Sequence, residues 1–436
     1  MTGSVRWSAG AWRRSAWAAA FALAGSTGAR SNGAFPDEFV ILFQPNAPSR
    51  ILLGANFGLV ISEDGGATWR YSCEPWIVSG SNAAINSGAS VSFYNLAADG
   101  ALLAQAIEVT RSADVACTWP AATGALDGQL ITDTFASPTD PDLVLATVSI
   151  DGGSYIVASR DGGKTFDATH LYETSDLLSG VEISRSDPDI VYAAQVSTFG
   201  TSSRLVMSAA GGAPGTWQSG PDRLIPTPDG TQPRILAVDP ADSDKVYVRL
   251  LRGITDSIAV TSDGGKTYEN PYPLSIDGRL SAFLRAGDGT VYAGTMDGAL
   301  YVRPPSGGPF APRPGSGPKF RCLGQRPGAT RIYACGDLLV DGANLFVSDD
   351  GARTFNPLMK FTDIQGPLAC PPVQGNCAAH WERIQGVLGL GPAADAGQTG
   401  GGTPPPAAMA SHCSSLGPDA TALLVLLTFS LRRARS

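Results

Sequence analysis

One eight-residue pattern returns along this chain at a nearly fixed interval, and that periodicity constrains the fold more than any local propensity. The reference copy is Ser62-Glu63-Asp64-Gly65-Gly66-Ala67-Thr68-Trp69. A second reads Ser159-Arg160-Asp161-Gly162-Gly163-Lys164-Thr165-Phe166 and a third Thr261-Ser262-Asp263-Gly264-Gly265-Lys266-Thr267-Tyr268. The fourth, Ser348-Asp349-Asp350-Gly351-Ala352-Arg353-Thr354-Phe355, has alanine at the second glycine position. Two degraded copies lie between them. Ser112-Ala113-Asp114-Val115-Ala116-Cys117-Thr118-Trp119 keeps the serine, aspartate, threonine and tryptophan, while the stretch from Ser208 to Trp217 keeps the serine and the closing Thr-Trp but has no aspartate.

From first residue to first residue the intervals are 50, 47, 49 and 53, and then 87. The last gap is nearly twice the others, so a unit without its motif is expected near residue 303, where Pro304 and Pro305 stand in its place. Seven units of this length account for residues 35–385. Each contains short apolar runs such as Ile51-Leu52-Leu53, Leu143-Val144-Leu145, Ile190-Val191-Tyr192 and Val246-Tyr247-Val248, set off by turn residues. About four strands fit in each unit, the arithmetic of a propeller blade, whereas the coils of a β-solenoid are shorter. The fold class expected is all-β, a seven-bladed β-propeller over residues 35–388.

The motif has a physical account. Its aspartate can accept backbone N–H groups within a tight turn, its glycines can adopt positive φ, and its aromatic residue can return to the packed face. Alanine at Ala116 and Ala352 is free of strain if φ there is negative, and costs about 1 kcal/mol or more if it is positive.

The repeats resemble the Asp-box, or BNR, repeats of sialidases, sortilin-type receptors, xyloglucanases and photosystem-assembly propellers. The resemblance implies the propeller fold and a structural role for Ser62, Asp64, Gly66, Thr68 and Trp69 and their counterparts. In those families the box lies at the blade periphery, away from the functional centre. Sialidases use an Arg-Ile-Pro element early in the chain. Arg223-Leu224-Ile225-Pro226 is the nearest string, and it stands in mid-chain.

No catalytic constellation stands out. Asp99, Asp140, Asp187, Asp239, Asp242 and Asp288 adjoin Gly, Pro or Ser and read as turn formers, and His170, His380 and His412 are isolated. No cofactor and no metal site is expected, because no His or second Cys sits at ligand spacing beside any cysteine. Glycine-rich strings such as Asp151-Gly152-Gly153 precede strands and lack the helix and lysine of a phosphate loop. A net charge of −8 argues against a nucleic-acid partner, which needs a basic face. Recognition loops are expected at residues 79–89 and 197–204, for a protein or glycan partner at the propeller face.

The ends carry different signals. Arg6, Arg13 and Arg14 precede the apolar run at residues 15–25, so residues 1–30 read as an export signal cleaved between Ala29 and Ala34. Cys73, Cys117, Cys322, Cys335, Cys370 and Cys377 are an even set, consistent with disulfides in an oxidising compartment. Six cysteines allow 15 pairings. Proximity favours Cys322 with Cys335 and Cys370 with Cys377, leaving Cys73 for Cys117. Residues 389–412 read as a Gly/Pro/Ala-rich linker. Residues 413–436 hold Cys413, a short apolar run and an arginine cluster, which resembles the C-terminal sorting signals of myxobacterial surface proteins. That resemblance implies processing or lipidation at Cys413, display at the outer cell surface, and membrane association only through this segment. The function expected is binding without catalysis, with a glycoside hydrolase or lyase using paired carboxylates, or an envelope assembly factor, as alternatives.

Overall fold

The computed structural model describes residues 38–78, 91–150, 152–253, 255–269, 279–315 and 317–390. The expected export signal at residues 1–30, all but the first two residues of the expected linker at 389–412, which includes His412, and residues 413–436 with Cys413 lie outside them. Seven antiparallel sheets follow one another along the chain as the blades of an all-β, seven-bladed propeller. Blade 1 comprises Glu38–Leu42, Ile51–Ala55, Gly58–Ser62 and Trp69–Cys73, and blade 2 begins with Phe93–Leu96, Leu102–Gln105 and Val109–Ser112. The first strands of blades 3 to 7 are Leu130–Ala136, Leu177–Ile183, Gln232–Val238, Leu280–Arg285 and Cys322–Gln325. First strands of neighbouring blades lie against one another at six of the seven seams, including that of blades 7 and 1, and so surround the axis.

The buried apolar residues fall into seven clusters, each lying at the seam between two consecutive blades. This is why the strands read as continuous apolar runs. Both faces of every blade are covered, so strands such as Ile51–Ala55 and Gly58–Ser62 are buried along their whole length.

The repeated motif occupies the loop between the third and fourth strands. In blade 1 Ser62 Oγ donates to Asp64 Oδ1 at 2.8 Å, and Asp64 accepts from the Thr68 N–H at 2.9 Å and the Thr68 hydroxyl at 2.7 Å. The Gly66 N–H donates to Ser62 Oγ at 2.8 Å, and Trp69 Nε1 donates to the Gly66 carbonyl at 3.0 Å. The same net recurs around Asp114, Asp161, Asp263 and Asp350. The motif turn of blade 4 has no aspartate, and there Ser208 Oγ meets Thr216 Oγ1 directly at 2.6 Å. Blade 6 makes the same connection, from Leu300–Arg303 to Ala311–Pro312, without the motif.

Both central positions of the turn are left-handed, at φ values from 57° to 106°, and this includes Val115, Ala116 and Ala352. The second glycine also meets the preceding blade. A Cβ on Gly163 would stand 2.7 Å from Leu103 Cδ2, and one on Gly265 3.1 Å from Leu205 Cδ2. Three arginines complete this junction from the preceding blade. Arg111 Nε donates to the Gly162 carbonyl at 2.8 Å, and Arg223 and Arg313 donate to the corresponding carbonyls of Gly264 and Gly351. The turn thus joins blade to blade as well as strand to strand.

Two expectations are corrected. The blades end at Met359, not near residue 385; Ile364–Pro367 then adds in parallel to the outer edge of blade 1, and the helix Pro371–Val387 packs over it. Two prolines at the helix start supply its preset φ without losing a needed N–H. The cysteine pairing also differs. Cys322 joins Cys335, but Cys73 joins Cys377 and Cys117 joins Cys370, across 304 and 253 residues. Ring closure, not sequence proximity, brings these partners together.

These contacts predict unequal glycine substitutions in urea unfolding. Gly65→Ala, whose Cβ meets nothing within 4 Å, costs only the left-handed penalty of about 1–2 kcal/mol. Gly163→Ala adds the clash with Leu103, for a total of about 2–4 kcal/mol. Ala352→Gly relieves strain but loses a buried methyl and gains chain entropy when unfolded, leaving stability within about 1 kcal/mol of the original.

Candidate functional site: the face opposite the repeated turns

Acidic residues near the axis are engaged in joining blades. Asp133 Oδ2, on the first strand of blade 3, accepts the Val181 N–H of blade 4 at 3.0 Å. Glu182 Oε1, in turn, accepts the Val238 N–H of blade 5 at 2.8 Å, and Asp256 Oδ2 accepts the Leu280 N–H of blade 6 at 2.7 Å. An inner strand is the free edge of its sheet, and each of these carboxyl groups satisfies an N–H of the next blade's inner strand. Desolvation, reinforced by Asp133, raises the Glu182 carboxyl to about 8 despite the favourable Val238 contact. Across the axis, the Arg234 guanidinium of blade 5 lies 4.3 Å from the centre of the Phe93 ring of blade 2 and bridges the ring of blades at that level.

The aspartates read as turn formers take that geometry. Asp99, Asp140, Asp187, Asp239, Asp242 and Asp288 each accept the N–H two residues on, at 2.9–3.2 Å. Asp239 is also held by Arg285 through two bonds of 3.0 Å. His170 stacks on Tyr155 with ring centres 3.9 Å apart. His380 meets the Tyr71 hydroxyl at 3.3 Å, and burial, then Arg383, pushes its imidazole down to about 4.

Among the described residues no group of three or more His, Cys, Asp or Glu is arranged to hold a metal. A shallow hollow between blades 6 and 7, lined by Leu300, Arg313, Gly317, Phe320, Ala352 and Phe355, has room for about one water molecule and not for a ligand.

The motif aspartates have lowered pKa values for structural reasons. Asp64 falls to about 2 through the Thr68 hydroxyl, the Thr68 N–H and Ser62. At Asp161 and Asp263 desolvation acts in the opposite direction but is outweighed by bonds from Thr165 and Ser159, and from Thr267 and Thr261, leaving both at about 2. Asp114 is lowered by the same balance, and Asp350 is lowered chiefly by the Thr354 N–H. These carboxylates are fully used within their turns.

Exposed apolar side chains are distributed differently. In an antiparallel blade the loop between strands two and three, and the start of strand one, point to the face opposite the third-to-fourth loop. Phe199, 91% exposed, is in the strand two-to-three loop of blade 4, and Leu339 and Val340 are in that of blade 7. Leu130 begins blade 3, Ile150 ends its second strand beside it, and Leu224 pairs with Arg204 at the start of a third strand. Among the described residues, six of the eight exposed large apolar side chains therefore lie on this one face. Of the expected recognition loops, residues 197–204 contribute Phe199, held by Ser197 Oγ accepting from Thr201 and Ser202. Residues 79–89 lie outside the described ones. The apolar positions elsewhere on this face were missed in the sequence because each stands singly between polar neighbours.

No protein-family model matches the chain, and no curated protein does. Many solved structures do. Hydrazine synthase of Kuenenia stuttgartiensis is 13% identical, with a TM-score of 0.51 over 73% of this chain and 96% of its own. The Dos1 propeller is 12% identical, with a TM-score of 0.49 over 76% and 85%, and YCF48 from Cyanidioschyzon merolae is 12% identical, with 0.47 over 69% and 96%. These are likenesses of fold.

Two titrations follow. The motif aspartates, held below their ordinary value of 3.8, contribute stability present above about pH 4 and lost as pH falls through about 2. Asp161→Asn will flatten that acid limb of the urea midpoint. Glu182, raised above its ordinary 4.5, acts in the opposite sense: its contribution is complete below about pH 4.5 and lost as pH rises through about 8. Glu182→Gln will flatten stability between those values.

Proposed function

We propose that this chain is an exported propeller of the Asp-box type that binds a protein partner on the face opposite its motif turns and carries out no chemistry there. One observation carries the reading: the exposed large apolar residues gather on that face, with Leu130, Ile150, Phe199 and Leu224 on the adjoining blades 3 and 4. Apolar groups grouped on a rigid scaffold favour a protein over a glycan. The inner-strand carboxylates are engaged as blade connectors, which supports binding over catalysis. In the same proposal residues 413–436 direct display at the outer cell surface, with Cys413 as the processed residue.

Phe199→Ser combined with Leu224→Ser should lower capture of a partner from the native envelope by about tenfold or more, as loss of central apolar contacts does, with unchanged thermal unfolding. Undiminished capture would rule this face out. Turnover of a polysaccharide that Glu182→Gln abolishes would establish the hydrolase alternative. Mass spectrometry of the native C-terminus should find it ending before Ser436, and an intact terminus would end the sorting proposal.

A further inference from the structure

We propose that Cys117–Cys370 is a thiol-exchange site, a disulfide that a dithiol reductant opens ahead of the other two, releasing the start of the C-terminal helix from blade 2. Three observations place the difference at this bond. Cys73 and Cys377 are fully buried and Cys322 and Cys335 nearly so, whereas Cys117 and Cys370 are both half-buried. A thiolate reaches a disulfide sulfur only where the sulfur is accessible, so exposure separates the bonds kinetically.

The second observation concerns the turn that carries Cys117. Its two central residues, Val115 and Ala116, are both left-handed without being glycine, at φ 57° and 66°. Among the five aspartate-containing motif turns the other central residues are glycine, apart from Ala352. Such positions are strained for residues with a Cβ and persist where surrounding contacts hold them. Here the holding contacts are the bond to Cys370, Trp76 Nε1 donating to the Cys117 carbonyl at 2.9 Å, and the Asp114 net. Opening the bond removes one of these restraints.

The third is the layout of the helix. Cys370 caps its start and Cys377, two turns on, is tied to blade 1. Cleavage at Cys370 therefore frees the helix start while Cys377 keeps the helix on the ring. In the exchange a thiolate of the dithiol attacks one sulfur, and the displaced sulfur leaves as a thiolate and takes up a proton. The donor's second thiol then resolves the mixed disulfide, so the protein gains two electrons and two protons and the donor becomes a cyclic disulfide.

The test uses the native full chain with any free thiol blocked, treated with graded dithiothreitol at neutral pH, alkylated and mapped by peptide mass spectrometry. Cys117 and Cys370 should be labelled about tenfold or more ahead of Cys73, Cys377, Cys322 and Cys335, with the far-ultraviolet circular dichroism unchanged. Equal or later labelling of Cys117 and Cys370, or loss of structure with the first pair opened, overturns the proposal. In the Cys117→Ser/Cys370→Ser variant, faster hydrogen exchange should be confined to residues 112–119 and the first turns of the helix. Spread of that exchange through blade 1 would overturn the local release.

Discussion

The fold depends on closing a ring of seven sheets, and the closing contact lies between blades 7 and 1. Six seams join blades consecutive in sequence, so a chain that forms one blade has the next close at hand. The seventh must bring residues some 300 positions apart together, and the entropy of that closure is offset only by contacts made after the ring is complete. Both terminal blades have four consecutive strands of their own, and the strand that crosses this seam is a fifth. The chain leaves blade 7 at Met359, lays Ile364–Pro367 along the outer edge of blade 1 and packs a helix over it. Phe361, Ile364, Val373, Trp381 and Ile384 enter the apolar cluster of this seam. Nearer the axis, Asn344 Nδ2 donates to Glu38 Oε2 at 3.0 Å and Phe43 packs on Tyr333.

The motif turns are the matching device at other seams. Each is read most easily as a local hairpin, yet its second glycine is a point where the preceding blade comes close, and at three seams an arginine bonds to the first glycine's carbonyl. Blade 6 lacks the motif, and there Arg303 at the end of its third strand, itself buried, pairs with Glu269 of blade 5 while apolar clusters pack both seams. Blade-to-blade adhesion is thus met by several chemical solutions.

The blade count was legible because each unit must repeat the same turn geometry, and the 87-residue interval located the unit that lacks it. The cysteine pairing was not legible, because Cys370 and Cys377 are near in sequence but sit on one helix, where each meets a different blade. The helix itself escaped notice: Pro371-Pro372 and Gly375 suggest a loop, while its buried stripe of Val373, Cys377, Trp381 and Ile384 is short. At Ala116 and Ala352 the positive φ values mean strain; Val115, equally left-handed, was not legible because it replaces the first glycine of the turn within an already degraded copy. Exposed residues such as Phe199 and Leu339 carry no period, so only the placement of their loops reveals a shared face.

The central claim is that the C-terminal strand and helix complete the ring through the 7–1 seam. Hydrogen exchange on a Cys73→Ser/Cys377→Ser variant tests it most directly, because that bond fastens the helix to blade 1. Amides of Glu38–Leu42, Cys322–Gln325 and Ile364–Pro367 should lose protection by about tenfold or more while blades 3 to 5 keep theirs. Unchanged protection at the 7–1 seam, or equal loss in all seven blades, would contradict the account.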